Sequence, residues 1–186
     1  MHYYEYHQKS PENLEKSKEK YPWLFDMNFS DESREVRYHL LEYLYLEYWY
    51  SWMLEKDDLW KPLPIQYNWS SLYWSLSHST NYLAFIVSDS PTGIDIVEKK
   101  ERDAFIQDIH SPHEYDILGG KNWDNFYILW SAKESIIKVA GSWLDDIKDI
   151  QLMEIHTESI SLFAFKGETY RIQTMQLDPV IISYTS

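Results

Sequence analysis

An aspartate in the middle of an apolar strand constrains this chain more than any other feature. In Gly93-Ile94-Asp95-Ile96-Val97-Glu98 the strand period puts Ile94 and Ile96 on one face and Asp95 and Val97 on the other. An ionised carboxylate there needs a partner, because burying it alone is far too costly. Further along, Trp130 to Gly141 reads as a helix on which Glu134 and Lys138, four apart, share a face with Ser131. A hard divalent ion such as Mg²⁺ asks for oxygen ligands, typically one or two carboxylates plus phosphates and water. Asp95 and Glu134 meet that count; Lys138 would neutralise phosphate charge, and Glu134 could accept a proton from an incoming hydroxyl. The stretch therefore reads as a metal and diphosphate site.

Plainer readings stand beside this one. Glu134 and Lys138 have the spacing of an ordinary surface pair worth about 0.2–0.5 kcal/mol. Asp95 could end a strand at a turn, and His78 in Ser77-His78-Ser79 could be a hydrogen-bonded turn residue. Ser111-Pro112-His113-Glu114 carries an N-cap, a proline at the first helical position and a glutamate two further on, which accounts for Glu114 by capping alone.

The remainder of the chain alternates between two patterns. Lys9 to Lys20 is charged and reads as a solvated helix or a flexible lead-in. From Ser30, Val36, Leu40, Leu41, Leu44, Tyr48, Trp49 and Trp52 recur at helical spacing, until Lys61-Pro62-Leu63-Pro64 breaks the pattern. Ser71–Ser77, Tyr82–Ser88 and Gly93–Val97 follow, read as three strands of an antiparallel meander. Phe105, Ile106 and Ile109 suggest a helix, another starts at Ser111 and stops at Gly119-Gly120, and the Glu134 helix ends at Gly141. The tail returns to strands at Ile150–Ile155, Ser159–Phe165, Thr169–Leu177 and Val180–Tyr184. The order is helix, strands, helices, strands, an α+β fold with antiparallel pairing and two halves that each offer helix and sheet.

Composition narrows the function classes. A net charge of −13 without a basic stripe argues against a nucleic-acid partner. No apolar run approaches the roughly 18 residues of a membrane span, and Met1 to His7 lacks the pattern of a secretory signal, so a cytoplasmic address is expected. The absence of cysteine excludes disulfides, thiol catalysis and Cys-ligated zinc. Nine Trp and sixteen Tyr could stack on sugars or bases, but such residues serve more often as half-buried packing.

Taken in order, the motifs resemble the larger, single-chain class of 4′-phosphopantetheinyl transferases over roughly Lys61 to Val180. The family's Lys-Pro is Lys61-Pro62, its strand-ending Ser-His-Ser is Ser77-His78-Ser79 and its Gly-Ile-Asp is Gly93-Ile94-Asp95. Glu114 matches the glutamate at the helix start, and Trp130 to Lys138 matches Trp-Ser-x-Lys-Glu-x-x-x-Lys. The resemblance implies an intramolecular pseudo-dimer of two α+β lobes, 1–91 and 92–186, with coenzyme A and Mg²⁺ in the cleft between them. It implies transfer of the phosphopantetheine arm of coenzyme A to a serine of an apo acyl or peptidyl carrier protein, by a monomer. By motif, Asp95 and Glu134 would be metal ligands, Glu134 also the base, and Lys138 a phosphate contact. His78 and Ser77 would hold coenzyme A phosphate, Lys61 would line the nucleotide pocket, and Trp130 and Lys133 would be supporting residues.

Three departures bear on that expectation. Where the family commonly has Asp-x-Glu, the second carboxylate is here Val97, and Glu98 should face the other way, which predicts weaker metal affinity. Before the first long helix, where relatives present basic residues, the chain has Asp26, Asp31 and Glu32, leaving Arg34 or Arg37 as substitutes. An acidic carrier would be repelled by a −13 partner unless a local patch such as Lys99, Lys100 and Arg102 compensates. The alternatives are a degenerate relative that binds coenzyme A or a carrier without catalysis, and an unrelated aromatic-rich binding domain.

Overall fold

The computed structural model describes residues 2–21, 30–50, 54–57 and 61–186. Asp26 and Trp52 of the sequence reading lie outside the described residues, as does the side chain of Glu32. The chain runs β1 (His2–Gln8), α1 (Pro11–Lys20), α2 (Asp31–Tyr48), β2 (Ile65–Tyr67), β3 (Ser70–His78), β4 (Tyr82–Ser88) and β5 (Ile94–Glu98). It continues with a 3₁₀ turn (Ala104–Ile109), α3 (Pro112–Ile117), α4 (Trp123–Ala140) and a second 3₁₀ turn (Leu144–Lys148). The last four strands are β6 (Gln151–Thr157), β7 (Ile160–Phe165), β8 (Glu168–Leu177) and β9 (Val180–Thr185).

These elements build the expected α+β fold, with two antiparallel sheets ordered β1-β4-β3-β2 and β5-β9-β8-β7-β6. Strand periodicity sets the layers. On β4, Leu83, Phe85 and Val87 pack with Val36, Leu40, Leu41 and Leu44 of α2, while Ala84 and Ile86 point the other way. There they meet Ile94 and Ile96 of β5 and Val180, Ile182 and Tyr184 of β9, a shared apolar layer between the sheets. The outer face of the second sheet buries Val97, Phe163, Ile172 and Ile181 against Phe126, Leu129, Ala132 and Ile136 of α4. Burial of this kind, about 25 cal/mol per Å² of apolar surface, dominates the stability of such layers.

The structure corrects the expected meander. Gly93–Val97 is not a third strand beside β4: β5 pairs with β9 in the second sheet, and β1, not recognised as a strand, takes the open side of β4. The reason is visible at Gly93, where an added Cβ would stand 2.1 Å from the carbonyl oxygen of Ser135. Only a glycine lets the chain pass that close to α4, and once there β5 finds β9 rather than β4. α2 also stops sooner than its periodicity suggested, at Tyr48. Trp49 follows at φ 55°, donates its N–H to Leu44 and Tyr45 carbonyls, and is 80% exposed rather than core. Trp69 likewise lies in the β2–β3 turn, with Asn68 and Trp69 both at positive φ.

The capping box at α3 forms as expected, Glu114 N–H donating to Ser111 Oγ while Ser111 N–H donates to the Glu114 carboxylate. Glu114 does more than cap. Both its oxygens meet Lys133 Nζ, at 2.7 and 2.9 Å, and it also accepts the Leu152 N–H at 3.0 Å, so one buried carboxylate ties α3, α4 and β6 together.

Beside this pair, His110 is 3% exposed among Phe126, Tyr115 and Trp130. Burial, reinforced by Lys133, pushes its pKa from 6.5 down to about 3, so the folded state holds it neutral. A depressed folded value means its contribution is complete above about pH 6.5 and is lost as the pH falls toward 3. On acidification through this window His110 should therefore cost the folded state about 1.4 kcal/mol per pH unit. Denaturant titrations of wild type and His110→Gln between pH 6.5 and 5 check this: the variant's slope should be flatter, and equal slopes would remove His110 as the cause.

Candidate active site

β3 and β5 meet along the seam between the sheets, and the alternation of β3 decides what lies there. Leu72 and Trp74 pack toward α2, so Ser75 and Ser77 face β5. Ser75 Oγ accepts the Ile94 N–H at 3.2 Å, giving this edge strand a contact on its unpaired side. Ser77 Oγ donates to Asp95 Oδ1 at 2.7 Å. From α4, Lys138 Nζ donates to the same Oδ1 at 2.8 Å and to the Ile94 carbonyl at 2.9 Å, and Ser131 Oγ donates to the Asp95 carbonyl at 3.2 Å. Asp95, 4% exposed, thus has the partner its burial demanded. The ammonium of Lys138 goes to Asp95, so the ordinary Glu134–Lys138 surface pair is not its arrangement.

Glu134, one turn before Lys138, is half-buried in the same cavity of about 390 Å³, which Ser77, His78, Asp95, Val97, Trp130 and Lys138 also line. Burial and then the neighbouring Asp95 charge push its carboxyl up to about 7, against the opposing pull of Lys138 and a Trp130 hydrogen bond. Two carboxylates that close repel unless a cation or a proton lies between them. Among the described residues no group of three or more His, Asp or Glu is placed to hold a metal. Asp95 and Glu134 would offer a Mg²⁺ ion two hard carboxylate ligands, with its remaining positions left to water and ligand oxygens.

Five of the six residues singled out from sequence share this cavity: Ser77, His78, Asp95, Glu134 and Lys138. Lys61 lines an adjoining cavity of about 260 Å³ with Pro62, Gly141 and Trp143, and Lys56 and Lys138 border both. Val97 faces the first cavity as hydrocarbon, whereas Glu98 accepts the Asn81 side-chain N–H at 2.7 Å and is turned toward the β3–β4 turn. Of the two candidate arginines, Arg34 pairs with Asp31 at 2.6 Å while Arg37, 3% exposed, lines the cavity. Both were candidates from the sequence, but which of them faces the cavity follows from how α2 packs and not from its local pattern. Lys56 carried no comparable signal. The basic group proposed for a carrier is engaged internally, Lys99 with Asp124 at 2.8 Å, Lys100 with Glu98 and Thr80, and Arg102 with the Tyr127 hydroxyl at 3.3 Å.

Two antiparallel sheets thus meet at a cavity where the Asp95 and Glu134 carboxylates lie among the basic side chains of Arg37, Lys56 and Lys138, in an α+β protein. The sequence profile of the 4′-phosphopantetheinyl transferase superfamily matches residues 91–183, half of the chain, and the chain belongs to that superfamily. It is 40% identical over 78 residues to a 4′-phosphopantetheinyl transferase of Bacillus subtilis, covering 39% of this chain and 35% of that protein. It is 33% identical over 115 residues to the 4′-phosphopantetheinyl transferase Sfp of Bacillus subtilis strain 168, covering 58% of this chain and 51% of Sfp. The chain thus spans between about a third and a half of the length of these curated relatives. No described helix is long and apolar enough to cross a membrane.

Proposed function

We propose that this protein transfers the 4′-phosphopantetheine arm of coenzyme A to a serine hydroxyl of an apo acyl or peptidyl carrier protein, as its superfamily membership suggests. The observation that carries this reading is the buried Asp95–Lys138 pair facing Glu134 in one cavity, anionic and cationic groups set side by side as a metal–diphosphate ligand requires. The two halves would act as the lobes 1–91 and 92–186 of an intramolecular pseudo-dimer, each sheet carrying its helix and the cleft lying at their seam.

In this reading the serine oxygen attacks the phosphorus that bears the pantetheine arm, the bond to the nucleotide's bridging oxygen breaks, and adenosine 3′,5′-bisphosphate leaves. Asp95 and Glu134 would hold Mg²⁺, which supplies charge neutralisation and orients the diphosphate. Glu134, half-buried in the cavity, would also take the serine proton. Lys138 would balance phosphate charge, His78 with Ser77 nearby would hold coenzyme A phosphate, and Lys61 would line the nucleotide end. Most of the acceleration would come from positioning and charge neutralisation.

One observation favours a second reading. Val97 supplies hydrocarbon where a further carboxylate would serve, so a relative that binds coenzyme A without turning it over is the alternative. Calorimetric titration of coenzyme A with and without Mg²⁺, followed by intact-mass analysis of an apo carrier incubated with both, separates them. Metal-dependent binding and a carrier heavier by one phosphopantetheine are expected. Binding without transfer to any of a panel of carriers would favour the second reading, and transfer undiminished in chelator would contradict the metal site.

A further inference from the structure

Lys56 stands where the two cavities join. It borders the one containing Asp95, Glu134 and Lys138 and also the one containing Lys61, Pro62 and Trp143. Its backbone is placed by the chain folding back on itself: Lys56 bridges antiparallel to Pro62, Leu63 N–H donates to the Glu55 carbonyl at 2.9 Å, and Asp57 N–H donates to that of Lys61 at 2.9 Å. Arg37 of α2 and Lys138 of α4 approach the same space from two other segments. Three cationic side chains distant in sequence are thus brought to one cavity, in a chain with 17 Lys and Arg against 30 Asp and Glu. Burial lowers the Lys56 ammonium to about 8, and Arg37 and Lys138 push it the same way. A bound phosphate would offset that mutual repulsion among the three cations, beyond what Asp95 does for Lys138.

We propose that Lys56 holds a phosphate group of the bound ligand between Arg37 and Lys138, at the passage from the Asp95 cavity to the Lys61 cavity. The inference rests on the coenzyme A reading and adds to it a ligand contact that no family motif in this sequence includes. It also gives the chain a source of positive charge that the acidic stretch before α2 does not offer. The ligand it implies is a phosphate ester long enough to reach through both cavities, its anionic part at the junction.

The test titrates the full chain with coenzyme A and, separately, with inorganic pyrophosphate at pH 7 over a range of salt concentrations, for wild type, Lys56→Met and Lys56→Arg. Methionine keeps the apolar stem and removes the charge, so it should weaken both ligands by about tenfold to a hundredfold and flatten the salt dependence. Arginine should restore affinity to within a few-fold. A measurement that needs no variant runs alongside: in isotopically labelled wild type, pyrophosphate should raise the titration midpoint of the Lys56 ammonium. Equal affinities and salt slopes in wild type and Lys56→Met, or an unmoved midpoint, would overturn this inference and leave the transferase reading standing. Lys56-dependent binding of pyrophosphate without any binding of coenzyme A would uphold the anion site and count against that reading. A folded wild type that binds neither overturns both.

Discussion

Glu134→Gln is expected to lower holo-carrier formation by two to four orders of magnitude, the range for loss of a general base, while leaving the protein no less stable. The glutamine keeps the shape of the side chain but neither accepts the serine proton nor offers a charged oxygen to Mg²⁺. In the unliganded protein it removes the repulsion between the Glu134 and Asp95 carboxylates, the second cause after burial that pushes Glu134 up to about 7. Lost turnover with unchanged or increased thermal stability is what distinguishes a chemical role from a structural one. Single-turnover transfer and a melting curve on the same preparation decide it. Turnover within about tenfold of wild type would take Glu134 out of the proton transfer, and a large loss of stability would make it a packing residue.

The largest effect on stability should come from the second carboxylate on which the C-terminal half depends. Glu114→Ala is expected to cost about 3–5 kcal/mol, a fall in melting temperature on the order of 10 °C for a chain of this size. It would leave the Lys133 ammonium, 1% exposed, without its partner, and strip the Leu152 and Ser111 N–H groups of their acceptor. The complementary Lys133→Met should cost less. Although burial alone would raise its pKa, the Glu114 carboxyl is held low by Lys133 and by the two N–H groups, and those N–H groups remain after the lysine is gone. Equilibrium denaturation of the two variants tests the order. Equal losses, or a loss below about 1 kcal/mol for Glu114→Ala, would mean that the carboxylate does not organise the junction of α3, α4 and β6.

Much of the fold was legible because it rests on local chemistry. The Ser111 capping box and the Gly141 stop, which takes φ 65° at the end of α4, are consequences of residues within one turn of each other. The turn at Lys166-Gly167, with both residues at positive φ, is of the same kind. β1 was not legible. Its Tyr3, Tyr4 and Tyr6 are all partly exposed, so an edge strand whose stability comes from the backbone of buried β4 shows no clear period of two. Nor was the partner of β5, since β9 follows more than eighty residues later in the chain and local pattern says nothing about which of several apolar strands will pair.

The same division holds at the site. The sequence by itself determined that Asp95 needs a partner, that Glu134 and Lys138 share a helical face, and that Ser77 and His78 close a strand, because each follows from a helical or strand period. Only the tertiary structure decided that Lys138 pairs with Asp95 rather than Glu134, that Arg37 rather than Arg34 enters the cavity, and that Lys56 joins it to the Lys61 cavity. It also decided that Lys133, four residues before Ile137 on the same helix as Lys138, is buried against Glu114. The physical reason is that a charge pair depends on distance in space, and distance between residues far apart in sequence is set by how two sheets and their helices pack, which no local period encodes.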